Sequence, residues 1–275
     1  MKSGKLILVL VFNVLILPAI LVLNGCESPA ESEERSWKLV WQDEFNGAAG
    51  SLPDTLTWNF DVGTGWGNAQ LEYDTKRPEN VSLNGEGFLE ITARKEPYLG
   101  SNYTSGRITT KNNVEFTYGK IEARMKLPWG QGMWPAFWLL GADVDTKGWP
   151  ACGEIDIMEN RGQMPARVHG TVHGPGYSGS AGKSKQFDLV NDRFDTGFHT
   201  FAVEWSEREI KFLVNGILYH TVKPEDLPGE WVFNKNFFII LNLAVGGNYV
   251  GPVGTNTVFP QSLVVDYVRV YREEK

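Results

Sequence analysis

Three acidic residues stand close together in a short stretch of the chain that reads GEIDIMEN. Acids alternate with apolar residues at its start, which predicts a strand with Glu154 and Asp156 on one face. Glu159 is five positions from Glu154, and in a regular strand its side chain would point to the opposite face. The apolar pair Ile157-Met158 breaks the alternation, and a β-bulge at this pair would turn all three acids to the same side.

The chemistry that needs such a group is glycosidic bond hydrolysis. A retaining glycosidase uses two carboxyl groups about 5–5.5 Å apart, one as nucleophile and one as general acid/base. At ~3.3 Å per residue the backbones at 154 and 159 lie on the order of 13 Å apart, a gap that two leaning glutamate side chains could largely close. Asp156, between them, could hold the two glutamates in different protonation states. The alternative is a divalent-metal site built from the same acids, although no histidine or further acid neighbours them in the sequence.

The elements that must position these acids are strands. Lys120 to Leu127 alternates polar and apolar residues, and Asn215-Gly216 between two apolar runs predicts a two-residue hairpin. Phe237 to Val245 is apolar except for Asn242, as expected of a strand covered on both sides, and Leu263 to Tyr271 is rich in β-branched and aromatic residues. No segment has a sustained helical period. The pattern predicts an all-β antiparallel sandwich or jelly roll.

The first 25 residues have the pattern of a targeting segment. Lys2 and Lys5 begin it, and Leu6 to Leu23 is nearly continuous apolar sequence, which predicts a signal peptide. Leu23-Asn24-Gly25-Cys26 then resembles a bacterial lipobox, in which the chain is cleaved before a cysteine that receives lipid. The alternative is an uncleaved anchor helix, because the apolar run is almost long enough to span a bilayer. Both interpretations place the remaining chain outside the cytoplasm.

An acidic tether, residues 26–36, is predicted between the lipidated Cys26 and a catalytic domain at 37–275. After the cysteine it reads ESPAESEERS, which is too polar to bury a core. We therefore expect a membrane-anchored bacterial lipoprotein on the cell surface or the periplasmic face, and the acid-rich run favours the surface. With Cys26 acylated, Cys152 has no disulfide partner and is expected to be a small buried residue.

The composition restricts the partners of the domain. A net charge of −7 argues against nucleic acid, which is bound by clustered positive charge. The chain has 10 Trp, 9 Tyr and 15 Phe, and aromatic faces suit a neutral ligand with flat apolar faces, such as a sugar. We expect a monomer whose partners are a polysaccharide and, through the acylated N-terminus, a lipid bilayer.

Three motifs together make a resemblance specific. GEIDIMEN, GMWPAFWLL (132–140) and VHGPGYSG (172–179) closely resemble glycoside hydrolase family 16, and within it the bacterial endo-1,3-β-glucanases, or laminarinases. The match continues in the family's order through WQDEFN (41–46), WGNAQLEYDT (66–75), YTSGRITTK (103–111), LNLAVGG (241–247) and VVDYVRVY (264–271). It implies a β-jelly roll of two antiparallel sheets with a substrate cleft on the concave face.

The resemblance also implies roles for the three acids. Glu154 takes the place of the nucleophile, Asp156 that of the assisting acid and Glu159 that of the acid/base. The E-x-D-x-x-E form is similar to that of laminarinases and unlike that of the mixed-linkage lichenases. The implied function is retaining, endo-acting cleavage of β-1,3-glucan without a cofactor for catalysis. The alternatives are a mixed β-1,3/1,4-glucanase, an enzyme for another algal polysaccharide, and a non-catalytic glycan-binding lipoprotein.

The residues expected to bind substrate are aromatic or polar and fall in the matched motifs. They are Asn68, Arg107, Trp134, Trp138, Trp149, His173 and Asn242. For Arg107 the alternative is a surface ion pair, and for His173 a structural histidine. Asn242 needs a partner for its amide in an otherwise apolar strand, and Trp129 has no assigned role.

A structural calcium ion is the one metal that the resemblance implies, bound on the convex side largely by backbone oxygens. The candidate residues are Glu44, Gly87 and Asp266, with Gly85 as an alternative to Gly87. Calcium takes oxygen ligands of this kind. The alternative is that Glu44 and Asp266 are solvated or form salt bridges.

Overall fold

The computed structural model describes Met1 and residues 36–274, and the targeting segment with Cys26 lies outside the described residues. The strands are β1 Trp37–Asp43, β2 Asn59–Phe60, β3 Glu72–Asp74, β4 Val81–Leu83, β5 Leu89–Tyr98, β6 Ser101–Ser105, β7 Arg107–Thr109, β8 Glu115–Phe116, β9 Gly119–Lys126, β10 Met133–Gly141, β11 Glu154–Asn160, β12 Arg167–His173, β13 Lys183–Asp188, β14 His199–Ser206, β15 Glu209–Val214, β16 Ile217–Val222, β17 Phe237–Val245 and β18 Gln261–Glu273. The helical pieces are single turns, α1 Val144–Lys147 and the 3-10 turns Gly179–Ala181 and Pro224–Asp226. No helix in the described part of the chain is long and apolar enough to span a bilayer.

The strands form two sheets. One has ten strands in the order β16-β15-β14-β9-β18-β5-β6-β3, with β1 beside β18 and β4 beside β5. The other has eight strands in the order β13-β12-β11-β10-β17-β7-β2, with β8 beside β17. All pairings are antiparallel except that of β3 with β6. The predicted two-sheet antiparallel sandwich is confirmed.

Side-chain alternation decides which face of each sheet is buried. β9 alternates buried and half-buried residues along its whole length, because its apolar side chains point into the space between the sheets. All nine residues of β17 are buried, so this strand is covered on both faces as predicted. The core between the sheets includes Trp58, Ile121, Phe137, Ile155, Phe201, Phe212, Leu241 and Val268.

The predicted hairpin at Asn215-Gly216 joins β15 to β16. Both residues have positive φ, 50° and 76°, and such a turn matches the right-handed twist of the paired strands. The Asn215 side chain also accepts a hydrogen bond from the Thr200 amide at 3.0 Å. The hairpin therefore forms one edge of the ten-stranded sheet, and its turn is bound to the neighbouring strand β14.

Cys152 is fully buried on the other side of the eight-stranded sheet, against Leu140, Phe238 and Ile240. It is a free thiol, and burial raises its pKa to about 11. A thiol that is neutral at physiological pH is a poor nucleophile. Cys152 is therefore the small apolar packing residue that the sequence predicts.

Candidate active site

A β-bulge at Ile157-Met158 positions the acids. Asp156 pairs with Thr171 on β12 and Glu159 with His169, so the two residues Ile157 and Met158 lie opposite the single residue Gly170. The other neighbour, β10, shows the same shift, with Trp138 opposite Asp156 and Phe137 opposite Met158. Both bulge side chains are buried in the core between the sheets, which turns Glu154, Asp156 and Glu159 to the opposite face.

Each acid has a defined partner on that face. The Trp149 indole nitrogen donates to Glu154 Oε2 at 3.0 Å, and the Trp134 indole nitrogen donates to Glu159 Oε1 at 2.9 Å. His173 Nε2 lies 3.1 Å from Asp156 Oδ2 and 3.7 Å from Glu154 Oε1. Indole donors therefore fix one oxygen of each glutamate, while His173 bridges Asp156 and Glu154.

The pKa values of all three carboxyl groups are raised, and burial is the largest cause in each case. The charge of Asp156 raises the pKa of Glu154 further, while His173 and Trp149 lower it. For Glu159 the Trp134 hydrogen bond and the charges of His173 and Arg161 oppose burial. A cluster of carboxyl groups whose pKa values are shifted in this way is typical of acid/base sites.

We expect Glu154→Gln to stabilise the protein as it removes activity. Because the folded-state pKa of Glu154 lies above its unfolded value of 4.5, the wild type loses stability as pH rises through this interval. The glutamine variant does not titrate there, so its advantage is small at pH 4 and grows towards pH 8. We expect a gain of about 1 kcal/mol at pH 8, or about 2–4 °C in Tm, measured by calorimetry at both pH values. An equal Tm difference at both pH values would contradict this linkage.

An open cleft of about 480 Å³ runs over the three acids, and most of the predicted substrate residues line it. Those brought together there are Asn68, Arg107, Trp134, Trp138, Trp149 and Asn242. His173 lies directly behind them against Asp156. Trp134 and Trp138 share one face of β10, as their spacing predicts. Trp129 is 46% exposed and does not line the cleft.

Two of the polar residues predicted to bind substrate have defined partners in the structure. Asn242 is buried, and its Oδ1 accepts from the Trp138 indole nitrogen at 2.8 Å, which satisfies its amide oxygen within the cleft wall. Arg107 forms an ion pair with Asp61 at 2.8 Å, and its guanidinium lies 4.9 Å from the Trp66 and Trp138 rings. Arg107 is thus both paired and part of the cleft.

Several residues at this end of the cleft were not predicted from the sequence. Trp66 and Gln70 line it, and both lie in the quoted motif WGNAQLEYDT, which was the available signal. Glu72 and Asp74 on β3 are buried beside Arg107, and burial raises the pKa of both, that of Glu72 to about 7. The alternation of these two acids in a short buried strand was the signal for a second carboxyl pair.

The alternative of a metal site at the catalytic strand was judged only on sequence neighbours, and that basis was wrong. His173 joins Glu154 and Asp156, and one ligand atom of each lies within 4.8 Å of the others. Glu159 is not in this group, and its Oε1 accepts a hydrogen bond from the Trp134 indole nitrogen. A cation held by the group would therefore involve only two of the three acids.

The predicted calcium ligands do not meet through their side chains. Both carboxylate oxygens of Glu44 bind Arg269, at 2.7 and 3.0 Å, and Asp266 pairs with Arg124. The salt-bridge alternative for these two acids is therefore correct. Their backbones do approach each other, because β5 and β1 pair with the same side of β18 and end at Leu89 opposite Val265 and at Asp43 opposite Val268. Asp266 lies in the gap between them.

Comparison with known proteins gives the same family throughout. The family model for glycosyl hydrolases family 16 matches residues 66–257. A β-glucanase of Rhodothermus marinus is 44% identical over 266 residues, which is 91% of this chain and 92% of that protein.

Solved structures agree in fold. The endo-β-1,3-glucanase of Pyrococcus furiosus superposes with a TM-score of 0.83 at 45% identity, over 88% of this chain and 96% of that one. The laminarinase catalytic domain of Thermotoga maritima gives 0.82 at 44% identity, over 87% and 99%. The two sheets agree with these matches, and the chain belongs to glycosyl hydrolases family 16.

Proposed function

We propose that this protein is an endo-acting hydrolase that cleaves β-1,3-glucan with retention of anomeric configuration. The observation that carries the proposal is that Glu154 and Glu159 reach the same open cleft from one bulged strand, each with one oxygen held by an indole. Two fixed carboxyl groups on one side of a cleft are what a double-displacement mechanism needs. The names of the relatives support the substrate.

Each acid takes a distinct role by its place in the motif E-x-D-x-x-E. Glu154, where the His173 and Trp149 contacts oppose the burial that raises its pKa, takes the role of the nucleophile that attacks the anomeric carbon. Glu159, whose pKa burial also raises, takes the role of the donor of a proton to the leaving oxygen and, later, of the base that activates water. Asp156, with its pKa raised by burial and by Glu159, keeps a proton between them.

Cleavage at internal bonds is supported by the relatives that are named as endo-1,3-β-glucanases. The experiment is a product profile on laminarin, lichenan, agarose and κ-carrageenan. Mixed oligosaccharides from laminarin early in the reaction support the proposal. Faster cleavage of lichenan would favour the mixed-linkage alternative, and cleavage of agarose or carrageenan alone would contradict a glucan substrate. Binding of laminarin without hydrolysis would favour the glycan-binding alternative, although all three acids are present.

We also propose that the protein is secreted and lipid-anchored through Cys26. The support is the lipobox-like motif and the acidic tether in the sequence. We expect the native protein in the membrane fraction with acyl chains on residue 26, and Cys26→Ser should release or mis-process it. Mass spectrometry of the mature N-terminus checks this. An intact Met1 would indicate an uncleaved anchor helix instead.

A structural calcium ion near Asp266 is a further proposal. The support is the gap between β1 and β5 along one side of β18, where the Glu44 and Gly87 segments approach Asp266. Hard oxygen ligands of this kind suit calcium, which would crosslink three strands. We expect EGTA to lower Tm by a few degrees and added Ca²⁺ to restore it, about 1 kcal/mol at modest site occupancy. A Tm that does not respond to either would reject the site.

A further inference from the structure

The Trp134 indole nitrogen donates a hydrogen bond to one oxygen of Glu159. The position of the Glu159 carboxyl group therefore depends on the contacts that fix the indole ring, and these contacts affect proton transfer. Trp134 is buried, and one face of its ring contacts Tyr249, with ring centroids 4.9 Å apart and planes inclined by 36°. Tyr249 lies in the turn that follows β17. It has no role in the motifs considered above.

Two further residues fix Tyr249. Its hydroxyl lies 2.9 Å from His169 Nδ1, and the Arg161 guanidinium lies over its ring at 4.3 Å from the centroid. Arg161 Nε is buried and has no hydrogen-bond partner among the described residues, so the aromatic face is a principal neighbour of this cation. Cation–π contact of this kind is strongest where water is excluded.

The turn that carries Tyr249 is itself held in place. The amide of Gly246 donates to Gly132 O at 2.7 Å, and that of Asn248 donates to Asn68 O at 2.7 Å. On the other side Gln163 Nε2 donates to Val250 O at 2.8 Å. Tyr249 is therefore presented from a rigid frame rather than from a free loop.

All of these contacts converge on Glu159. His169 lies directly opposite Glu159 on β12, Arg161 is two residues further along the chain, and the charge of Glu159 raises the pKa of Tyr249. Burial and the two arginines at 161 and 167 lower the pKa of His169, and its Nδ1 lies at hydrogen-bond distance from the tyrosine hydroxyl. A chain of contacts thus runs from His169 through Tyr249 and Trp134 to Glu159.

We propose that Tyr249 is a positioning residue for the reaction: held by His169 and Arg161, its ring fixes the Trp134 indole that orients the Glu159 carboxyl for proton transfer. This inference rests on the proposed acid/base role of Glu159. It adds a residue that touches neither the reacting atoms nor the cleft floor. Its signature is a defect confined to acid catalysis, because nothing links Tyr249 to Glu154 in the same way.

The test compares aryl β-1,3-glucobiosides whose leaving groups differ in acidity. A dinitrophenolate leaves without protonation, whereas methylumbelliferone and the sugar of laminarin need the acid. We expect Tyr249→Leu to lower kcat/KM about 30-fold on laminarin and on the methylumbelliferyl substrate, and far less on the dinitrophenyl substrate. Tyr249→Phe keeps the ring and loses the hydroxyl, so it should show the same pattern at smaller amplitude.

The control is Tyr98→Leu. Tyr98 has the same surroundings, with the Tyr73 ring at 5.2 Å and the Arg77 guanidinium at 4.5 Å, but no contact with the acids. For Tyr98→Leu, the ratio of kcat/KM on the dinitrophenyl substrate to kcat/KM on the methylumbelliferyl substrate should equal that of the wild type. If Tyr249→Leu lowers kcat/KM by the same factor for every leaving group, or does not lower it at all, the inference is overturned. If that variant does not fold, Tyr249→Phe decides by the same criterion.

Glu159→Ala is measured on the same substrates. It distinguishes a failure of the positioning role of Tyr249 from a failure of the acid/base role of Glu159. If it shows the leaving-group dependence and the Tyr249 variants do not, only the positioning role is wrong. If Glu159→Ala itself lacks the dependence, the acid/base assignment is wrong and the inference falls with it.

Discussion

Replacing Glu154 by glycine is expected to abolish turnover of β-1,3-glucan and to permit rescue by azide. The Glu154 carboxyl lines the described cleft, where Trp149 and His173 contact it, and its removal takes away the proposed nucleophile. Its loss should cost about 5 kcal/mol of transition-state stabilisation, roughly 10⁴-fold in kcat/KM. The glycine leaves a space on the nucleophile side, and azide in that space should attack an activated β-linked substrate to yield the α-glycosyl azide.

Glu159→Ala should lose a different step of the reaction from Glu154→Gly. The nucleophile remains, so substrates with good leaving groups should still form the glycosyl-enzyme, and azide should then give the β-product. Analysis of the azide products by NMR distinguishes the two variants. Glu204→Ala, a half-buried glutamate on β14 of the other sheet opposite Lys120 and Lys211, is the matched control and should keep full activity.

The opposite stereochemistry would contradict these roles. A β-azide from the Glu154 variant would exchange the assignments of the two glutamates. Wild-type product that first appears as the α-anomer would exclude retention, and with it the pairing of Glu154 with Glu159.

The catalytic strand could be predicted because its signal is local. A strand has a period of two, so one interruption at Ile157-Met158 was enough to predict both the bulge and the common face of the acids. The strands β9 and β17 and the hairpin at Asn215-Gly216 follow from the same local rules.

Contacts between distant segments could not be predicted in this way. His169, Arg161 and Tyr249 meet only because β12 and the turn after β17 flank the bulged strand, and no spacing in the sequence encodes that meeting. The same holds for Arg107, whose ion pair with Asp61 and position between two indoles are both non-local. The ion pairs of Glu44 and Asp266 are non-local in the same way, since Glu44 pairs with Arg269 on β18 and Asp266 with Arg124 on β9.

Deleting Met158 is expected to remove most of the activity and leave the fold intact. The two neighbouring strands run without interruption past the bulge: Ala136 and Trp138 on β10, like His169 and Thr171 on β12, are two residues apart, opposite Glu159 and Asp156. A β11 shortened by one residue can therefore pair regularly with both, which should preserve the sheet. The extra residue of the bulge has two effects. It places the side chains of both Ile157 and Met158 in the core, and it sets the orientation of Glu159.

Activity should fall because the deletion removes the local bend and twist of the bulge, which re-aims the Glu159 side chain relative to Trp134, whose indole nitrogen donates to it at 2.9 Å. A misplacement of about 1 Å in a catalytic group already costs roughly 10²-fold, so we expect at least that loss in kcat/KM on laminarin. Met158→Ala separates position from packing, because it keeps the bulge and removes only the buried side chain. It should lose about 2–5 kcal/mol of stability and keep activity near the wild-type level at temperatures where it is folded. Circular dichroism checks the fold of both variants, and a deletion variant as active as Met158→Ala would show that the bulge does not set the position of Glu159.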